Sequence, residues 1–545
     1  MTSYDDLPSE ADVVVIGTGL QESVLAAACS RAGLSVLHID RNPFYGGCWG
    51  SGFNFHSIEE WIRSVTSNSE EIRIAYEASD DELIVPAAAS QSTIRDVTVR
   101  SNITTQQNPE NKENCTNVAV NGRKFSIDLI PKVLLSGGSM VKVLRQSEAS
   151  KYCEFKCVDR FVCIDDDVST NPLKMLRVPC SKAEIAFSSI ISLIEKRLFY
   201  KFMEFCMIWH SKREEIDQAF PTYKWEDFAE KPFSEFLDSL EMRGTLKNII
   251  MEVIGILNQN TTTTEGLHAV CSFLSSTGRL GNLPTPFVYT FYGSSELEQS
   301  FNRLCAVYGG VYCLNRPCEA FVIDKSTKRC TGIISGGQKI SCKHVITSQD
   351  YINTTFDTGK EESTMKRCLV LTDKSILPSA DDHITLMSLN RLDPELGMRL
   401  LETGYSANVT TKEFYFVHLS SRGDKSLAET FTPITERLFR NDENPSEDDN
   451  RPHSCWSLMF DVVQRNLEPP AENITVVPAP DYSPHLESVV SSAEEIFNRY
   501  WPDLDFLPSK AHRNNEELED DEFVDTAEAE RQETSQSPES AASLP

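Results

Sequence analysis

The segment from Ala11 to Asp40 constrains the fold more than any other in the chain. Ala11 to Ile16 is an apolar, β-branched run that reads as a buried strand, Gly17 to Gly19 as a turn, Leu20 to Ala32 as a helix, and Ser35 to Ile39 as a second strand ending in Asp40. This is a βαβ opening with an acidic residue where a dinucleotide-binding fold places the one that meets the ribose. Its glycine fingerprint is incomplete. Gly17 makes the tight turn and Gly19 lets the backbone approach a pyrophosphate, but the third position is Glu22. A carboxylate there, beside the helix N-terminus, is expected to repel a diphosphate by about 4 kcal/mol at ~4 Å and an effective dielectric of ~20. Retained architecture with a spoiled phosphate site implies no bound cofactor; FAD held through Asp40 and Gly46-Gly47 is the alternative.

The 545 residues exceed one ordinary core, and the pattern divides them unevenly. Residues 1–66 form the first part of an α/β domain, and 67–121 are polar, low in aromatics and expected to be a disordered insertion. Residues 122–180 resume the domain, with helical spacing at Ile127, Ile130, Val133 and Leu134 and a strand near Tyr152 to Val158. Residues 181–280 are mostly helical: Ser181 and Glu184 form a capping-box pattern before a run to Trp209, and further helices fit Ser234 to Leu240 and Thr245 to Leu257. Strands return over 281–513, ending in a helix near Leu486 to Arg499, and 514–545 form an acidic tail expected to be disordered. The fold class is α/β, a Rossmann-type multi-sheet domain carrying an inserted all-α domain.

Charge narrows the partners. A formal net charge of −29 repels nucleic acid and favours basic partners. The sixteen cysteines are scattered in apolar contexts with no signal peptide ahead of them, and read as reduced and cytosolic. The nearest pairs, Cys153 with Cys157 and Cys313 with Cys318, lack the second pair a zinc site needs, so no metal is expected. No apolar run approaches the ~20 residues that span a bilayer, and the terminal Ser-Leu-Pro is not a prenylation box.

Three blocks carry a more specific signal. GTGLQESVLAAACSRAGLSVLHIDRNPFYGG from Gly17 to Gly47, the Lys124 to Lys156 segment, and FVYTFYGSSELEQSFNRLCAVYGGVYCLNRP from Phe287 to Pro317 closely resemble the signature blocks of the family formed by Rab escort proteins and Rab GDP dissociation inhibitors. The resemblance covers most of Ala11 to Tyr351 and implies a flavin-monooxygenase-like α/β domain with a helical domain. It maps a Rab-binding platform onto Tyr45, Glu296, Arg303 and Cys313. Glu296 and Arg303 lie seven apart, so on a helix both project from one face, where they either read a partner's charges or form a solvated surface pair. Tyr45 equally fits a core aromatic closing the Gly46-Gly47 turn.

The same resemblance implies that the helical domain takes a geranylgeranyl tail between Ile190 to Trp209 and Thr245 to Leu257, with Met203, Met207, Ile250, Met251 and Ile254 as lining candidates. Both segments carry more apolar positions than one helical face needs, which also fits a simple core. It further implies docking of the Rab geranylgeranyltransferase heterodimer through an exposed phenylalanine, Phe205 or alternatively Phe202. The expected partners are therefore GDP-bound Rab GTPases, unprenylated and geranylgeranylated, the transferase, the lipid, and membranes transiently. The insertion, the acidic tail, Cys313 and the phrases VKVLRQSEASKYCEFK and CAVYGGVYCL favour the escort branch over a dissociation inhibitor. A flavin-dependent oxidoreductase is the third reading; Glu22 and VVPAPDYSPHLESVV, which lacks a late Gly-Asp flavin motif, stand against it. No set of nucleophile, base and orienting residue is visible, so no catalysis is expected.

Overall fold

The computed structural model describes residues 7–66, 74–103, 121–165, 173–180, 182–188, 190–257, 259–281, 283–359, 363–393, 397–440 and 449–509. Two large sheets organise them. In the first, Glu10–Ile16 lies between Val36–Ile39 and Gln338–Ser348, parallel to both. Val311–Cys313 adds a parallel strand outside Val36–Ile39, and Ile474–Val477 pairs in parallel with Gln338–Ser348. The sheet continues antiparallel through Cys330–Ser335 and Ala320–Asp324 to Glu82–Pro86. Val13, Val14, Val15 and Ile16 are all fully buried, which is why the first strand reads as an unbroken apolar run: a parallel sheet is covered on both faces.

The helix Leu20–Arg31 is buried along its whole length. Its small residues Ala26, Ala27 and Ala28 admit close neighbours, and it packs against the helices Ser295–Val307 and Glu487–Tyr500. The second sheet runs Ile94–Ser101, Ser454–Gln464, Ser363–Thr372, Tyr415–Arg422, Arg399–Thr403, Thr385–Ser388, Arg160–Ile164 and Met175–Arg177. All its neighbours are antiparallel except Thr385–Ser388 with Arg160–Ile164.

Between the sheets' segments in sequence comes a helical layer: Lys182–Phe187, Leu193–Ser211, Ile216–Ala219, Phe233–Ser239, Gly244–Asn248 and Thr263–Ser276. Its core is aromatic, with Phe199, Phe202, Phe205, Phe233 and Phe236 buried. Gly244–Asn248 runs into π-helical turns over Ile249–Ile254, a widening the apolar pattern does not announce.

Three expectations change. The segment expected as a disordered insertion contains the strands Glu82–Pro86 and Ile94–Ser101, each paired to a sheet; composition hid them because Glu82–Pro86 is only five residues long and Ile94–Ser101 is an edge strand whose side chains are mostly exposed and largely polar. Residues 104–120 of that segment and the tail beyond 509 lie outside the described residues. Ile127 to Leu134 is not helical. Ile127 bridges Phe53 and Leu134–Leu135 pairs with the Phe287–Thr290 strand, and burial on every side erases a strand's alternation. The capping box belongs to Ser192 and Glu195, at the start of Leu193–Ser211. Ser181 lies outside the described residues, and Glu184 instead accepts the Cys180 N–H at 2.9 Å.

Candidate functional site: a closed cofactor crevice beside an aromatic and charged platform

At the end of Glu10–Ile16 the strand order reverses, which is where an open α/β sheet places its ligand. Gly17, at φ 103°, turns the chain and donates its N–H to the Ile39 carbonyl at 2.9 Å. The Gly17 carbonyl meets His38 Nε2 at 2.6 Å. Burial pulls His38 down to about 4, so the ring is neutral, and facing a carbonyl its Nε2 carries the proton.

Glu22 is 2 % exposed and folds back over the glycine turn: a Cβ on Gly19 would collide with its Oε2 and stand 3.0 Å from Trp49 Cδ1. Burial pushes the Glu22 carboxyl up to about 8. It is therefore mostly protonated at neutral pH, and the expected charge repulsion is corrected: Glu22 excludes a diphosphate by occupying its space. Asp40 is equally committed. Its Oδ2 accepts the Thr18 N–H and hydroxyl at 2.8 and 2.7 Å, and its Oδ1 accepts the Asn42 N–H and amide and the Tyr351 hydroxyl at 2.8, 2.9 and 3.0 Å. Five protein donors fill the acceptor sites a ribose would need. The space left among Gly17, Gly19, Glu22 and Asp40 is about 20 Å³, room for roughly one water. These residues do not fit a flavin dinucleotide.

The supposed insertion completes the closure. Arg41 lies 3.8 Å over the Tyr351 ring and donates to the carbonyls of Ala88 and Asp350 at 3.0 and 2.6 Å. Asp350 Oδ1 accepts the N–H groups of Ser92 and Thr93, both at 2.8 Å, and the Thr93 hydroxyl at 2.7 Å. The strap formed by residues 82–101 is thereby pinned to the crevice by backbone and side chain together. Asp350 and Tyr351 were not readable as site residues, since nothing in the local sequence ties them to a segment more than two hundred positions away.

The block that ends the crevice begins the platform. Gly46 needs its left-handed φ of 99°, and a Cβ there would lie 3.1 Å from the Gly50 nitrogen and 3.3 Å from Glu298 Oε2. Ser51 donates to Glu298 at 2.7 Å, and Gly52 and Ser294 donate their N–H groups to Asp128 at 3.2 and 2.7 Å. This ties the loop to the start of Ser295–Val307. Burial raises Glu298 to about 8, so its carboxyl braces the loop in a mostly neutral form.

Tyr45 is half-buried, and its ring stacks on Tyr312, with centroids 5.6 Å apart. Tyr312 meets His38 edge-on at 4.8 Å and precedes Cys313, which is half-buried in the edge strand Val311–Cys313. Tyr45 is thus neither a core residue nor a free one. Tyr312 was missed because the resemblance pointed one residue further on. Glu296 and Arg303 both lie on Ser295–Val307, as their spacing requires. Glu296 is half-buried, and burial, then Asp128 and Glu154, raise its pKa. Arg303 is exposed, its guanidinium 4.4 Å over the Tyr152 ring.

In the helical layer, Phe205 and Phe202 are fully buried. Phe205 packs against Phe220, Tyr223 and Phe236 with centroids 5.6, 5.0 and 6.0 Å away, which corrects the expectation of an exposed phenylalanine. Exposed aromatics of the helical layer include Phe187, at the end of Lys182–Phe187, and Tyr200, on Leu193–Ser211. Ile250, Met251 and Ile254 are buried in the π-helical turns, Met203 is half-buried, and Met207 is exposed. The π-helical turns and Leu193–Ser211 both pack on Thr263–Ser276. No helix among the described residues is long and apolar enough to cross a membrane, and no group of three or more His, Cys, Asp or Glu among them is placed to hold a metal.

These features define a dinucleotide-fold protein whose cofactor crevice is shut and whose glycine block leads into a surface platform. The chain belongs to the GDP dissociation inhibitor family: the family model described as "GDP dissociation inhibitor" matches residues 7–71 and 100–510, leaving the strap between them unmatched. It is 36 % identical over 521 residues to "Rab proteins geranylgeranyltransferase component A 1" of Caenorhabditis elegans, covering 92 % of this chain and 96 % of that protein. It is 28 % identical over 625 residues to "Rab proteins geranylgeranyltransferase component A 2" of Mus musculus, covering 92 % of this chain and 97 % of that protein. The crystal structure of the Rab GDI of Plasmodium falciparum shares the fold at a TM-score of 0.64 and 21 % identity, over 91 % of this chain and 99 % of that one.

Proposed function

We propose that this chain escorts Rab GTPases: it binds a GDP-bound, unprenylated Rab, presents it to the Rab geranylgeranyltransferase heterodimer, and carries the geranylgeranylated product from the cytosol to membranes. The observation that carries this reading is the closed crevice beside an intact platform. Glu22, Asp40 and the strap take up the cofactor's place, while Tyr45, from the same glycine block, remains at the surface beside Tyr312. Full-length similarity to proteins named as transferase component A favours an escort over a GDP dissociation inhibitor. The chain itself supplies no chemistry in this reading; bond making belongs to the transferase.

On the platform, Tyr45 offers a ring prepaid in position by Tyr312, and Arg303 and Glu296 offer opposite charges on one helical face, which sets register more than raw affinity. Cys313 adds an edge-strand contact. In the helical layer, Met203, Met207, Ile250, Met251 and Ile254 take the lipid after the helices part. A twenty-carbon chain at ~0.8 kcal/mol per buried methylene offsets the cost of parting them, and flexible methionines repack around it.

The test is Rab prenylation by purified transferase with and without this chain. Strong dependence on the chain is expected. Binding of prenylated Rab with no support of prenylation identifies a GDP dissociation inhibitor instead, and flavin absorbance in the purified protein restores the oxidoreductase reading.

A further inference from the structure

A second cavity lies away from the crevice and the platform, between the inner face of the second sheet and the loops 130–133 and 481–484. Its volume is about 30 Å³, two or so water-sized groups. What sets it apart is the charge of its walls. Lys132, Arg367 and Arg399 are 4, 3 and 7 % exposed, and all three line it. Arg422 lies close by, its guanidinium 5.5 Å from the Tyr482 ring, whose centroid is 4.6 Å from that of Arg399. Against these cations the lining holds one carboxylate, Asp481, which pairs with Lys132 and is 44 % exposed at the cavity's edge.

The donors are not used up. Arg367 spends Nε on the Leu129 carbonyl at 3.2 Å, and Arg399 spends Nη1 and Nη2 on the carbonyls of Tyr482 and Ile256 at 3.4 and 2.5 Å. Arg367 Nη2, Arg399 Nε, His418 Nδ1 and the Tyr482 hydroxyl are buried without a hydrogen-bond partner among the described residues. Burial pulls Arg367 down to about 10 and holds His418 well below its usual range, so the arginine is charged and the imidazole neutral at pH 7. Buried cations with free donors, crowded together in a chain whose net charge is −29, are costly unless something negative answers them.

We infer that this cavity is a binding site for a small anion of carboxylate size, held by Arg367, Arg399 and the Tyr482 hydroxyl, with His418 and Lys132 at its margin. A planar carboxylate accepts paired N–H donors from guanidinium groups, and the volume excludes anything as large as a nucleotide or a lipid headgroup. The site has a structural consequence. Arg399 also holds the Ile256 carbonyl just beyond the π-helical turns, so an anion that fixes Arg399 stiffens the join between the sheet and the helical layer.

The test is a titration of the full chain with sodium formate, replacing sodium gluconate at constant ionic strength in chloride-free buffer. The thermal midpoint and tryptophan fluorescence are followed, since Trp49 stands 5.3 Å from the Lys132 ammonium. A saturable rise in midpoint is expected, with the half-saturating concentration raised about tenfold in Arg367→Met, as befits loss of a charged hydrogen bond. Tyr482→Phe keeps the ring between its two guanidiniums and is expected to raise it several-fold, so the inference stands testable even if Arg367→Met folds poorly. Without formate, Arg367→Met is expected to be no less stable than the parent. A midpoint that only drifts with salt and never saturates, or a half-saturation unchanged in both variants, overturns the site and leaves a water-filled cavity.

Discussion

The ring of Tyr45 stacks on that of Tyr312, with centroids 5.6 Å apart and planes 20° from parallel. One tyrosine comes from the glycine block and the other from the edge strand, so the stack joins two signature segments far apart in sequence. Tyr45→Ala is expected to weaken GDP-bound Rab at least tenfold, the scale of an interface aromatic, while Tyr45→Phe keeps the stack and stays within about threefold. Calorimetric titration with a GDP-loaded Rab decides it; equal affinity for parent and Tyr45→Ala removes this residue from the platform.

Restoring the glycine fingerprint should not restore a flavoenzyme. Glu22→Gly frees the diphosphate's space, but Asp40 still spends its oxygens on Thr18, Asn42 and Tyr351, and Arg41 and Asp350 still pin the strap. Purified Glu22→Gly is expected to show no flavin absorbance and to lose a few kcal/mol of stability, as buried truncations do. A yellow variant would show that Glu22 alone keeps the crevice shut.

The βαβ opening was legible because burial on both sheet faces forces an unbroken apolar run, and because Gly17 must reach a φ few residues tolerate. Glu22 was legible as a residue out of place but not as a neutral one; that depends on burial, which only the folded chain sets. The strap was hidden because edge strands such as Ile94–Ser101 carry polar, exposed side chains and resemble disordered sequence. Phe205 was misread for the opposite reason. A helix with more apolar positions than one face needs does not say which of its phenylalanines faces outward, and here Phe205 faces in.

That placement changes what a Phe205 variant can report. Phe205→Ala empties a position surrounded by Phe220, Tyr223 and Phe236 and is expected to cost ~3–5 kcal/mol, whereas Phe187→Ala, at 91 % exposure, is expected to change stability by less than ~0.5 kcal/mol. Denaturant titration distinguishes them. If Phe205→Ala unfolds at the parent's midpoint, the aromatic core of the helical layer is not as packed as described.

Glu22 and Glu298 also write a pH signature into the fold. Burial lifts each from 4.5 to about 8, so between these values the folded chain holds protons that the unfolded chain has released. Stability from each group is therefore fully present below about pH 4.5, declines as pH rises, and is gone above about pH 8, at up to ~1.4 kcal/mol per pH unit per group. In Glu22→Gln the amide cannot ionise, so its share of the decline disappears while that of Glu298 remains. The expected result is a shallower fall of unfolding free energy between about pH 5 and 8 in Glu22→Gln than in the parent, measured by urea titration across the range. Parallel profiles for the two proteins would mean that Glu22 is ionised in its pocket. The exclusion of a diphosphate would then rest on charge after all.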